Sequence, residues 1–167
     1  MASKWYSVVS QKLYLARVLL TQLEQAEDQA LSNHQPPAIV RQALSQASAE
    51  MLIRAQRALL TMVAHFYQEK VATPASILEL KALFSYDVSE VDTLEQLAAD
   101  SGSWWAHLAT LNKALSEPAA PQKTVSTENI IAVAAEEEAD FSPQALERTR
   151  RAMADFAREL EDRHSEW

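Results

Sequence analysis

Glycine is almost missing from this chain: its 167 residues contain one, Gly102. Tight turns, left-handed helix caps and close approach of backbone to a phosphate favour a residue without a Cβ, and an average soluble domain carries roughly 7% of it. The shortage excludes a P-loop, a dinucleotide-binding fingerprint and a nucleophile elbow, each of which needs several glycines at fixed offsets. It points instead to helices. Cysteine is absent altogether, which removes disulfides, thiol catalysis, iron–sulfur clusters and Cys-based zinc sites. No apolar run approaches the ~18 residues needed to span a membrane, and the opening MASKWYSVVSQK lacks a basic stretch followed by an apolar core. A cytoplasmic location without a membrane partner is the expectation.

Basic residues are the scarcer charge, with 15 Lys and Arg against 23 Asp and Glu. The imbalance is concentrated late, where residues 117–167 hold 6 basic and 12 acidic side chains. Such a surface repels a phosphate backbone, whose binding depends on clustered Lys and Arg, so no nucleic-acid partner is expected. The apolar share of 48% is enough to fill one sizeable core in a chain of this length. Residues 1–167 therefore read as one helical-bundle domain.

What is present is helical periodicity. Residues 4–31 place Trp5, Val9, Ala16, Leu19, Leu20, Leu23, Ala26 and Ala30 on one side at 100° per residue, with Ser7, Gln11, Gln22, Gln25 and Asp28 opposite. Asn33 to Pro37 stops this helix. A second helix spans about 38–71, and from Leu52 onward its apolar surface widens over most of the circumference, as in a helix surrounded by neighbours. Thr73-Pro74 predicts a short helix over about 74–84 with Ile77, Leu80 and Phe84 inward. Val88, Val91, Leu94 and Leu97 suggest another short piece, and Ser103 caps a helix over about 104–116. Residues 117–127 read as a linker, residues 129–134 lean to an extended segment because β-branched side chains open them, and Ser142-Pro143 caps a final helix. The expected architecture is all-α: an up-and-down bundle of two long helices, short middle helices and a C-terminal helix after a long crossover.

Three constellations carry candidate chemistry. Lys12 falls inside the apolar stripe of the first helix, either with its stem packed and its ammonium at the rim or as a desolvated base or anion contact. Glu50, Arg54, Arg57, Thr61, His65 and Gln68 draw a polar line along the second helix. Facing water, this line is ordinary surface with a Glu50–Arg54 pair; facing inward, it is a pocket for a small anionic ligand. The adjacent Trp104 and Trp105 cannot point at one core, so they and Trp167, at the end of the last helical seam, are candidate interface residues. Arg148, Arg150 and Arg151 are interleaved with Glu147 and Asp155 and read as a solvated helix face.

Metal and cofactor chemistry find little footing. The four histidines sit on different segments, and the lone Glu161-x-x-His164 lies where a helix end frays, so no metal site and no cofactor are expected. Glu24 and Glu27 with Glu159 and Asp162 form the one carboxylate set that could hold magnesium for a hydrolase, as in helical nucleotide pyrophosphohydrolases.

The stretch KWYSVVSQKLYLARVLL with its Gln11-Lys12-Leu13-Tyr14 centre, the Ile-Ala-Val run at 131–133 and the closing Ser165-Glu166-Trp167 resemble a family of small uncharacterised bacterial proteins known only as a domain of unknown function. The resemblance covers the whole chain and implies a bacterial source and a helical fold; it implies no activity. The functional expectation is a non-enzymatic bundle acting through protein contact, as a homodimer. A ligand-binding bundle using Arg54, Arg57, Thr61, His65 and Lys12 is the alternative, and the magnesium hydrolase a third.

Overall fold

The computed structural model describes residues 3–31, 38–118 and 138–165. Among them are six helices and no strand: α1 (Lys4–Leu31), α2 (Ala38–Phe66), α3 (Ile77–Ala82), α4 (Ser89–Ala99), α5 (Trp104–Ser116) and α6 (Pro143–Ser165). The linker at 117–127 falls mostly, and the extended segment at 129–134 and Trp167 wholly, outside the described residues.

The bundle follows from which helix must bury which side. Along α1, Val9, Leu13, Ala16, Leu20 and Leu23 recur every three or four residues, and all are buried. Between Ser48 and Ala64, α2 is buried on almost every side because it touches α1, α3, α5 and α6. Trp5 meets His65, so α1 begins where α2 ends. Ser3 meets Glu161, so α6 ends there too. The contacts His107 to Thr149 and Trp104 to Phe156 run α5 antiparallel to α6. Thus α1, α2, α5 and α6 alternate up and down, while α3 and α4 fill the end where α2 and α6 finish. No helix among the described residues is long and apolar enough to cross a membrane.

Local capping sets most boundaries. Ser103 accepts from Ala106 N at 3.1 Å and gives its own hydrogen to Leu97 O, which fixes the start of α5. Ser142 caps α6 by accepting from Ala145 N, with Pro143 in the first helical position. At α1, Ser3 Oγ accepts from Tyr6 N at 3.0 Å, while Glu161 Oε1 accepts from Ser3 N at 2.6 Å. A capping box normally draws that carboxylate from the same helix; here it comes from α6.

Two boundaries correct the sequence reading. Helix α2 stops at Phe66 and not near Val71, because Gln68 takes a left-handed φ of 68°. Gln68 N then bonds His65 O and Glu69 N bonds Ala64 O, at 3.1 and 3.0 Å, which is a Schellman cap built without glycine. Helix α3 is Ile77–Ala82 and not 74–84, because Ser76 caps it in place of Thr73. Ser76 Oγ accepts from Glu79 N and Glu79 Oε2 from Ala75 N, a reciprocal arrangement that leaves Pro74 buried ahead of the helix.

Candidate functional site

The polar line of α2 splits by depth. Glu50, Arg54, Arg57 and Gln68 are exposed, and no ion pair joins Glu50 to Arg54. Thr61 is buried, its hydroxyl directed at Arg57 O at 3.3 Å, and half-buried His65 leans on Trp5 with ring centroids 5.4 Å apart. Lys12 is half-buried on α1. The two guanidiniums therefore stand toward solvent. The magnesium set is not brought together either. Ser3 adjoins Glu161, and Glu24 lies 21 residues further along α1, about 31 Å away at 1.5 Å per residue. Among the described residues, no group of three His, Asp or Glu could hold a metal ion.

A polar cluster that periodicity did not reveal gathers at the end of the bundle. Glu90, in the first turn of α4, is only 2% exposed. Its Oε2 accepts from Tyr67 OH at 2.5 Å and Ser89 Oγ at 2.9 Å, and its Oε1 from Arg163 Nη1 at 3.2 Å and His164 Nε2 at 3.1 Å. Burial alone would push this carboxyl up, but the hydrogen bonds from Tyr67, Ser89 and His164 outweigh it and hold the group at about 2. Burial, then the bond to Glu90 and its charge, push the Tyr67 phenol up to about 12. His164 stacks flat on Phe66 at 4.3 Å and meets Tyr67 edge-on at 5.6 Å. So the end of α6 does not fray: Glu161 is buried and His164 is docked. A carboxylate has about four acceptor directions, and four donors fill them. Glu90 is a clasp joining α2, α4 and α6, with no lone pair left for a substrate's proton.

A cavity of about 440 Å³ opens between α5, α6 and residues 138–140. Trp104 and His107 come from α5, Arg148 and Thr149 from α6, and Asp140 and Glu138 from the chain ahead of α6. The carbonyl of Asp140 can only accept, so His107 Nε2 carries the hydrogen of their 2.9 Å contact. His107 Nδ1 is hydrogen-bonded to the buried Thr149 hydroxyl at 2.6 Å. Both ring nitrogens are engaged, and the imidazole braces the wall. Asp140 is held below the usual carboxylate range by its side-chain and backbone bonds to Ser142, helped by His107 and Arg148.

Trp104 and Trp105 are both half-buried, 5.4 Å apart at 63°, and Trp104 continues to Phe156 at 5.7 Å. Arg150 and Arg151 both bond Glu147, so that face of α6 is internally paired. The largest outward apolar side chains on α1 are Tyr14 at 65% exposure and Leu15 and Val18 at 39% each. They share their side of the helix with Ser7, Gln11, Gln22 and Gln25, so between Ser7 and Gln25 the outer stripe carries no charge, and Lys4 and Asp28 bound it at its two ends.

The family model DUF6586, a family of unknown function, matches residues 1–167. No curated protein and no solved structure matches the chain.

Proposed function

For a chain that belongs to DUF6586, a family of unknown function, along its whole length, we propose a non-enzymatic role through protein contact, in which two copies meet across the outer face of α1. The observation that carries this reading is the uncharged stripe centred on Tyr14, Leu15 and Val18. The cores of protein interfaces are depleted in charge and enriched in aromatic residues, whereas this chain as a whole carries a net charge of −8. Two such molecules repel each other over most of their surfaces and least where neither presents a carboxylate. A second copy is therefore the partner this face suits, and a two-fold axis near Val18 would lay the two α1 helices antiparallel with the same residues meeting from both sides. From Ser7 to Gln25 the stripe is about 27 Å long. The alternative of a small anionic ligand along α2 draws less support, since Arg54 and Arg57 stand in solvent. The cytoplasmic location and bacterial source expected from the sequence belong to the same proposal.

Sedimentation equilibrium over about 10–500 μM should give a reversible dimer, and Val18→Arg should weaken it about a hundredfold or more, because two guanidiniums would face each other at the axis. A monomer across that range overturns the reading. So does a dimer that Val18→Arg and Tyr14→Asp leave unchanged.

A further inference from the structure

We infer that the cavity between α5 and α6 binds a small amino-carboxylate zwitterion, a free amino acid or a compound of that size, with its carboxylate on Arg148, its ammonium on the Asp140 and Glu138 side, and its side group against Trp104. Three observations carry this. The volume of about 440 Å³ lies within the range of small-molecule pockets, roughly 300–1,000 Å³, and exceeds what an ordered water or two would fill. The walls combine one aromatic face, one guanidinium and two carboxylates, a mixture that suits neither a plain anion nor an apolar compound. The opposite charges are also held apart. Arg148 is close enough to Asp140 to help keep its carboxyl ionised, yet Arg148 makes no ion pair or hydrogen bond with any described residue. Asp140 Oδ1 accepts from Ser142 N at the mouth of the last helix.

A plain anion entering here meets two carboxylates against a single guanidinium, in a protein of net charge −8. A plain cation leaves Arg148 without a partner among the described residues. A zwitterion satisfies both walls at no net charge, and the guanidinium offers its carboxylate a two-pronged contact. The doubly bonded His107 fits this arrangement, because it braces the Asp140 backbone and Thr149 across the cavity wall.

The test is an NMR titration of the ¹⁵N-labelled full chain with L-phenylalanine, reading the Trp104 indole and the amides of residues 101–107. Controls are N-acetyl-L-phenylalanine, which lacks the ammonium, and L-phenylalaninamide, which lacks the carboxylate. Saturable shifts are expected below about 10 mM, with Arg148→Gln weakening binding about tenfold, Glu138→Gln less, and each control about tenfold weaker than the free amino acid. Arg148 and Glu138 are exposed, so both variants should fold; if one does not, the two controls on the unaltered protein decide. Absence of saturable shifts up to about 20 mM overturns the inference. So do equal responses to all three compounds, or a folded Arg148→Gln that titrates like the original.

Discussion

Tyr67 donates its phenolic hydrogen to Glu90 Oε2 at 2.5 Å, and through that bond the turn after α2 is fastened to the first turn of α4. The same carboxylate holds Arg163 and His164 of α6 by its other oxygen, so one buried charge sets the spacing of three elements.

Stability should fall in acid in a way that depends on Glu90. Its carboxyl titrates at about 2 in the folded chain against 4.5 ordinarily. A depressed carboxyl contributes stability that is fully present above the unfolded value and is lost as pH falls through the folded one. Glu147, held at about 2 first by its bond to Arg150, contributes in the same window. The difference between the unaltered protein and Glu90→Gln should therefore shrink between pH 4.5 and 2 without vanishing from the total. Chemical denaturation at a series of pH values measures it, and a constant difference would refute the assignment.

At the alkaline end the sign reverses. Tyr67 is raised from 10.0 to about 12, so its contribution is complete below pH 10 and is lost as pH rises through 12. Tyr67→Phe should cost about 1.5–3 kcal/mol at neutral pH, the loss of a hydrogen bond to a charged group. Urea titrations should show the variant and the unaltered protein converging at high pH.

Two glycine exchanges should behave oppositely to a naive expectation. Gln68 holds a left-handed conformation at φ 68°, which costs a residue with a Cβ about 1 kcal/mol. Gln68→Gly should therefore stabilise by about 0.5–1 kcal/mol, as glycine does at this cap position. The chain's single glycine has no such need: a Cβ on Gly102 meets only Asp100 Oδ1, at an ordinary 3.4 Å. Gly102→Ala should be neutral or stabilising by about 0.4–1 kcal/mol through the unfolded state. Thermal unfolding checks both.

Arg57→Ala should change stability by no more than about 0.5 kcal/mol, because the side chain is exposed. Glu90→Ala should cost about 3 kcal/mol, since it strands the donors around a buried site. Denaturation midpoints that reversed this order would place the polar line of α2, and not the clasp, inside the bundle.

The boundaries that were legible in sequence are those set by local chemistry. Ser103 and Ser142-Pro143 announce their helices because a cap needs only the next three residues. The end of α2 was not legible, since Gln68 carries no intrinsic preference for a left-handed turn; the bonds of residues 67–69 and the pull of Glu90 on Tyr67 impose it. Ser76 and Glu79 form a capping signal in the sequence, close behind the Thr73-Pro74 pair that also fits a helix start. The burial of Glu90 has no signature along the chain, because its four partners come from α4, α6 and the turn after α2. Likewise, the cavity wall formed by Arg148, Asp140 and Trp104 exists only once α5 lies against α6. The uncharged face of α1 is legible in part: its glutamines mark it as outward, while Tyr14, Leu15 and Val18 among them carry the apolar character of a core position.

The cap of α1 has a consequence for how the molecule comes into being. Ser3 is synthesised well before Glu161, which lies 158 positions later and whose carboxylate completes the start of its helix. Helices α1 and α2 can pair during synthesis through their apolar faces, but α1 keeps an unfilled amide at its start until α6 has been made and docked. Loop closure over such a separation is slow relative to local pairing. The last helix thus acts as a signature of completion: a nascent or prematurely terminated chain lacking α6 leaves the Ser3 amide without its carboxylate and the core face of its hairpin open, the state that proteases and chaperones recognise.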